Sequence, residues 1–111
     1  MNTIISGSHF EDFPKAKKYA LEKIEKLTKY HSRIEKIVVR LISEKAHRNE
    51  KHDFTCEIIA SVPGKDLEIT EKNLAADKAF DMAWDRMKRL LVKSKEKFVS
   101  KKHKLAVVNR T

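Results

Sequence analysis

The sequence predicts an α+β fold, a two-layer sandwich in which a four-stranded sheet carries two roughly parallel helices on one face. Two observations predict it. Short stretches rich in β-branched residues with a period of two alternate with two longer stretches whose apolar residues recur at three- and four-residue spacing. The chain has 111 residues, of which 41% are hydrophobic, enough for one core but too few for two. The predicted order of elements is β-α-β-β-β-α.

The first strand and the first helix are predicted near the N-terminus. The β-branched residues before Gly7 favour a strand over residues 3–8. Asp12 is the predicted N-cap of the helix that follows, and Pro14 lies in its first turn, where the missing N–H costs little. The helix has one predicted buried face, which consists of Phe13, Ala16, Ala20, Ile24, Leu27 and His31.

Three further strands are predicted over residues 35–45, 51–62 and 65–72. The first of them is partly apolar on both faces, whereas the other two alternate between apolar and polar residues, as strands with one buried face do. Pro63 and Gly64 predict a tight turn between the last two strands, because Gly accepts the positive φ of a type II turn. The inward-facing residues of the last two strands are predicted to be Phe54, Cys56, Ile58, Ala60, Val62, Leu67 and Ile69.

The second helix is predicted from about residue 73 to about residue 100, where the helical period returns. A helix between the first two strands favours a parallel pair, and both helices then cover the same sheet face. Residues 1–100 are expected to form a single domain, followed by a basic, flexible tail over residues 101–111. The apolar stripe of the second helix consists of Ala76, Ala79, Phe80, Ala83, Met87, Leu90 and Leu91.

The net charge of +9 favours a polyanionic partner and is concentrated in the two helices. Residues 14–33 hold seven Lys or Arg against two Glu, and residues 78–104 hold ten against three acids, so the remainder of the chain is slightly acidic. A charged helix is commonly just a solvated face. Two basic helices beside a nearly neutral remainder are more typical of a nucleic-acid-binding surface.

Helical geometry places the cations on one flank of each helix. The flank of the second helix consists of Arg86, Arg89, Lys93, Lys97 and Lys104. The flank of the first helix interleaves lysines with tyrosines and consists of Tyr19, Lys23, Lys26 and Tyr30. Lysines suit phosphates, and tyrosines suit stacked bases. Asp81, Asp85 and Glu96 are predicted to lie elsewhere, so we expect two cationic rows that face one another across a groove between the helices.

The residues indicate binding rather than catalysis. The sequence contains no P-loop, GxGxxG or CxxC motif and no cluster of metal ligands, so neither a cofactor nor a metal is expected. His47 and His52, with Arg48, leave open a small ribonuclease, which would need two imidazoles at one phosphate. His31 is expected to close the first helix, where a positive charge suits the helix dipole.

The remaining features favour a cytoplasmic protein. Cys56 is the single cysteine, so no intramolecular disulfide forms, and its position predicts a small core residue. No signal peptide and no apolar run long enough to span a bilayer is present. Trp84 borders the apolar stripe and is expected to pack. Binding to a membrane surface is not expected, because the apolar stripes are needed to cover the sheet.

The chain resembles the bacterial ribosome hibernation promoting factors, the family that includes ribosome-associated inhibitor A (YfiA). The resemblance extends over nearly the whole chain and is strongest in KKYALEKIEKLTKYHSRI (residues 17–34), IVVRLISEK (residues 37–45) and DRMKRLLVKSKEK (residues 85–97). It implies a non-enzymatic, short-form protein that occupies the decoding region of the small ribosomal subunit. There it would exclude mRNA and tRNA and hold idle ribosomes inactive during stress or stationary phase.

The resemblance also implies a set of contact residues and partners. By position, the RNA-contacting residues of the family correspond to Lys23, Lys26, Arg86, Arg89, Lys93 and Lys97. Further contacts are expected from Tyr19, Tyr30 and Lys104. The partner is the rRNA of the small subunit, with no small-molecule substrate, and the protein itself is expected to be monomeric. A double-stranded RNA-binding module stays open as an alternative, although its helix-first order differs from the strand-first order predicted here.

Overall fold

The computed structural model describes the backbone of residues 2–45 and 52–108 and the side chains of residues 2–43 and 53–95. In this part of the chain one sheet has the strand order β1-β2-β3-β4, where the strands are β1 (Asn2–Ser6), β2 (Lys36–Lys45), β3 (His52–Val62) and β4 (Lys65–Asn73). The helices are α1 (Ser8–Asp12), α2 (Pro14–Glu25) and α3 (Ala76–Val108), and a 3₁₀ turn at Lys26–Lys29 extends α2. The predicted α+β fold is confirmed.

The connections determine the directions of the strands. β1 pairs with β2 in parallel, because helical residues separate the two strands, whereas β2, β3 and β4 pair antiparallel. The turn after β3 contains Gly64 with a φ of +87°, as the Pro-Gly pair predicts. α3 packs mainly on β3 and β4, and α2 lies beside it on the same face and contacts β1 at the opposite edge of the sheet. This arrangement decides which flank of each helix faces the other helix.

The core lies between the helices and one face of the sheet. Within the described side chains, the predicted inward residues of β3 and β4 are buried, except that Phe54 is half-buried against the core. The helices contribute large side chains that are fully buried, such as Ile24, Leu27, Met87 and Leu91. Each contributes about 1.5–3 kcal/mol of hydrophobic free energy. The apolar faces predicted for the helices are therefore occupied by the sheet.

The start of the helical layer differs from the prediction. β1 ends at Ser6, and Ser8–Asp12 forms the short helix α1, which the sequence analysis did not predict. Asp12 ends α1, and Phe13 is the N-cap of α2, so the predicted cap was wrong by one residue; Pro14 does occupy the first turn. Phe13 is exposed, contrary to the prediction, because it lies at the break between α1 and α2 and not within a helix. The centroid of its ring is 4.7 Å from that of His9.

The end of the last helix also differs. α3 continues to Val108, so the predicted end near residue 100 was wrong. Residues 101–108 contain neither Gly nor Pro, and Lys, Leu and Ala favour helix, so nothing in this stretch stops the helix. The division into a domain over residues 1–100 and a tail over residues 101–111 stays a prediction.

Candidate nucleic-acid interface

α2 and α3 lie side by side and contact one another through polar and aromatic side chains. The indole Nε1 of Trp84 donates a hydrogen bond of 2.9 Å to the carbonyl oxygen of Lys23. The ring of Trp84 also meets the ring of Tyr30 edge-on, with centroids 6.3 Å apart. The surface formed here is called the inter-helix surface and consists of Tyr19, Lys23, Tyr30, Asp81, Trp84 and Lys88.

Lys23 lies within this surface and holds the two helices together. Its Nζ is 2.7 Å from Oδ1 of Asp81 and lies 5.0 Å from the centroid of the Trp84 ring. The rings of Tyr19 and Phe80 are within 6 Å of the same ammonium. Burial opposes the charged form of Lys23, but its hydrogen bond with Asp81 and the charge of Asp81 outweigh that effect and raise the pKa. Lys23 is therefore a permanently charged contact between α2 and α3.

Lys88 is a candidate binding residue that the sequence analysis missed. Its Nζ lies 5.3 Å from the centroid of the Tyr30 ring and 6.0 Å from that of Trp84, and the side chain is half-buried. Lys88 follows Trp84 by four residues, so the two lie one above the other on α3. This spacing was the available signal, but the sequence alone did not show that the Trp84 side of α3 faces α2.

The predicted arginine row lies on the opposite flank of α3, here called the outer flank and consisting of Arg86, Arg89 and Lys93. Arg86 forms an ion pair with Glu71 of β4, the edge strand of the sheet. Because α3 packs over β3 and β4, this flank faces away from α2. The structure therefore does not bring Arg86 opposite Lys23, contrary to the expectation of two confronting rows.

The acids are also closer to the cations than predicted. Asp81 pairs with Lys23, and Asp85 pairs with Arg89. Residues four apart lie only about 40° apart around a helix, so Asp85 and Arg89 are neighbours on the surface. Three of the predicted RNA-binding cations therefore have a carboxylate partner within the protein.

The remaining predicted site residues differ in their exposure. Lys26 and Lys93 are exposed, and no ion pair is described for either of them within residues 2–43 and 53–95. Tyr19 is exposed and meets Phe80 edge-on, whereas Tyr30 is partly buried. The side chains of Lys97 and Lys104 lie outside the described residues. Lys26 and Lys93 are thus exposed cations of the predicted set for which no carboxylate partner is described.

His31 differs from its predicted electrostatic role. It is buried at the end of α2, and its Nδ1 accepts a hydrogen bond of 3.1 Å from the backbone N–H of Arg33. Burial lowers the pKa of His31, and the charges of Lys95 and Arg33 lower it further. These effects disfavour the positive charge that was predicted to serve the helix dipole, so the environment of His31 does not support that role.

The sequence also singled out Cys56 and Trp84 as packing residues and a histidine pair for the ribonuclease alternative, which stays open. Burial, with a smaller effect of Glu57, raises the pKa of Cys56 to about 12, and Cys56 belongs to the core as predicted. Trp84 packs against the core, also as predicted. His47 and Arg48 lie outside the described residues, as does the side chain of His52. Among the described side chains no group of His, Cys, Asp and Glu could hold a metal ion, and none of the described helices could cross a membrane.

Comparison with known proteins identifies a family for the chain and solved structures with a similar fold. The family model for sigma 54 modulation protein / S30EA ribosomal protein matches residues 3–99. No curated protein matches the sequence. Among solved structures, the chain is similar to the N-terminal domain of Protein Y from Thermus thermophilus, with 20% identity, coverage of 84% of this chain and 98% of that one, and a TM-score of 0.64.

A second solved structure has the same fold. It is a ribosomal subunit interface protein from Coxiella burnetii, with 15% identity, coverage of 86% of this chain and 99% of that one, and a TM-score of 0.69. At such low identities the two structures establish the fold, whereas the family rests on the match over residues 3–99.

Proposed function

Because this chain belongs to the sigma 54 modulation protein / S30EA ribosomal protein family, whose proteins are ribosome-associated, we propose that it binds the small ribosomal subunit and silences translation. In the proposed mechanism the domain occupies the decoding region and excludes mRNA and tRNA by its bulk. This action requires tight binding and no catalysis. It would hold idle ribosomes inactive in the cytoplasm during stress or stationary phase, with the protein acting as a monomer.

The observation that supports this proposal is the concentration of exposed cations on the helical layer. Lys26 and Lys93 project from α2 and α3 without a described ion-pair partner among the described residues, and the guanidinium of Arg89 is largely exposed beside Asp85. Lys88 adds a cation above two aromatic rings. Such a surface can neutralise several phosphates at once, while its aromatic rings offer faces for bases or riboses.

The proposed contacts differ in role. We propose that Lys26, Lys88, Arg89 and Lys93 contact phosphates. Lys97 and Lys104, whose side chains lie outside the described residues, are expected to add further phosphate contacts. Arg86 is expected to contribute through its solvent-exposed side, while Glu71 holds its other side. Lys23 is expected to act mainly by fixing α2 against α3, because Asp81 and three rings already surround its ammonium.

A co-sedimentation experiment tests the proposal. Small ribosomal subunits are mixed with the protein and pelleted over a range of salt, with excess duplex RNA as a competitor. We expect co-sedimentation that weakens steeply with salt, since each phosphate contact contributes a slope of about −0.7 to −0.9 in log K against log salt. A ribosome profile with and without the protein shows in addition whether ribosomes become paired. Loss of co-sedimentation on adding duplex RNA would favour the double-stranded RNA-binding alternative instead.

Matched charge reversals locate the contact. Arg89→Glu with Lys93→Glu changes the outer flank, whereas Arg40→Glu with Lys72→Glu makes the same change in net charge on the face of the sheet away from the helices. We expect the first pair to reduce co-sedimentation by at least tenfold and the second pair to have a small effect. Equal losses from both pairs would show that net charge, and not this surface, determines binding.

A further inference from the structure

The ion pair between Lys23 and Asp81 is arranged with the carboxylate on the outside. The side chain of Lys23 is 23% exposed, whereas that of Asp81 is 47% exposed. The centroids of three aromatic rings also lie within 6 Å of the ammonium. A ligand that approaches the inter-helix surface therefore meets the negative charge of Asp81 before it reaches the positive charge of Lys23.

The pair between Arg86 and Glu71 has the reverse arrangement. The side chain of Arg86 is 53% exposed, and that of Glu71 is only 16% exposed beneath it. Here the cation is presented to solvent, and the carboxylate orients it from below. These two ion pairs thus present opposite charges to solvent. Of the three ion pairs described, including the one between Arg89 and Asp85, the pair in the inter-helix surface is the one whose carboxylate is more exposed than its cation.

A carboxylate in this position acts differently on flexible and folded RNA. A flexible single strand samples many positions on a cationic surface, and phosphates near Asp81 are repelled at distances shorter than the screening length of roughly 10 Å. A folded RNA site has fixed phosphates, which can reach Lys26, Lys88 and Lys93 while leaving Asp81 uncontacted. A repulsive element of this kind lowers affinity for unwanted partners more than for the intended one.

We propose that Asp81 is a specificity-determining residue, which excludes loosely held single-stranded RNA from the inter-helix surface. The inference rests on the proposed function, because it concerns the choice between generic RNA and the folded RNA of the small subunit. It assigns to Asp81 a role in partner selection besides its contact with Lys23.

The test compares Asp81→Asn with Glu68→Gln. Both substitutions remove one negative charge without changing the size of the side chain, but Glu68 lies on the sheet face away from the helices. Binding to a labelled oligouridylate is measured by fluorescence anisotropy over a range of salt, and binding to small subunits by co-sedimentation. Thermal melting of each variant verifies that it is folded.

We expect Asp81→Asn to bind oligouridylate about two- to fivefold more tightly than the parent, the range set by a surface charge pair. The salt slope is expected to steepen by about 0.7, because one more phosphate contact forms on a single strand. Affinity for small subunits should change less, so the ratio of the two affinities falls. Equal tightening by Glu68→Gln, or no tightening by Asp81→Asn, would overturn the proposal.

A second comparison removes the effect of freeing Lys23. Lys23→Met, which keeps the charge of Asp81, is compared with the double variant Lys23→Met/Asp81→Asn, which has no charge at either position. The double variant should bind oligouridylate more tightly than Lys23→Met if Asp81 repels phosphates, and equal affinities would contradict that. Failure of the parent protein to bind small subunits would refute the proposed function, whereas the oligouridylate comparisons still decide whether Asp81 repels RNA.

Discussion

The indole N–H of Trp84 on α3 donates a 2.9 Å hydrogen bond to the carbonyl oxygen of Lys23 on α2. This bond joins the two helices of the candidate interface directly, rather than through the sheet beneath them. The same carbonyl oxygen also accepts the backbone N–H of Lys26, at the end of α2. The ammonium of Lys23 also lies over the Trp84 ring, so Lys23 and Trp84 join the helices by both a hydrogen bond and a cation–π contact.

Replacing Trp84 by Phe should lower the free energy of unfolding by about 1 kcal/mol, the usual contribution of a neutral hydrogen bond. The cost should stay near this value because the Lys23 carbonyl keeps its bond from Lys26. Urea denaturation followed by circular dichroism measures the change, since the substitution removes the fluorophore. Leu74→Ala is the control, because Leu74 is 63% exposed and its loss should change stability by less than about 0.5 kcal/mol. An unchanged midpoint for Trp84→Phe would contradict the role given to this bond.

Gly7 is expected to tolerate no side chain. Its φ is +110°, and a Cβ at this position would lie 2.3 Å from the backbone oxygen of Leu41 in β2. Gly64 also has a positive φ, but a Cβ there would meet nothing within 4 Å. Gly64→Ala should therefore cost only the conformational penalty, about 1–2 kcal/mol. Gly7→Ala should cost roughly 3 kcal/mol or more, since β1 and β2 must also separate. Denaturation of both variants in urea provides the measurement, and equal losses would argue against the close approach.

The stability of the domain should fall as the pH falls below about 6.5, because the folded domain disfavours the charged form of His31. Burial and the charges of Lys95 and Arg33 lower its folded pKa below the ordinary value of 6.5, so the unfolded chain binds more protons in this range. Above pH 6.5 the stabilisation is fully present, and it is lost as the pH falls through the folded pKa. His9 contributes in the same direction, because burial lowers its pKa more than Asp12 raises it.

Urea denaturation at several pH values between 5 and 8 measures this effect. His31→Gln should lower stability at neutral pH, through lost packing, but its stability should fall less steeply toward pH 5. A fall as steep as that of the parent would show that other groups cause the pH dependence.

The sheet could be predicted from the sequence because each strand has a strong local pattern. Cys56, Ile58 and Ala60 alternate with polar or half-buried neighbours, and this alternation alone gives the buried face. The helical period likewise placed Ile24 and Met87 in the core. The five residues of α1 have no such pattern, since one short turn of helix shows no period.

The arrangement of the candidate interface could not be predicted in the same way. A helical wheel gives the angle between Arg86 and Met87, but it does not tell which side of α3 faces α2. That choice follows from the order of strands, which places α3 over β3 and β4 and turns Arg86 toward Glu71. The sequence thus indicated the cations of the predicted flanks, but neither Lys88 nor the residues that neighbour each cation. These neighbours decide whether a cation is available to a phosphate.

A chain that ends at Ser100 should fold with unchanged stability but bind RNA less tightly. Within the described side chains, the buried residues lie between Phe10 and Ser94, and the domain predicted from the sequence ends at residue 100. Residues 101–111 contain four Lys or Arg and no acid, and their removal lowers the net charge from +9 to +5. Melting of the shortened chain should match that of the parent, whereas the salt slope for small subunits should become shallower. A lower melting temperature would show that residues 101–111 belong to the domain, and an unchanged slope would show that they make no phosphate contact.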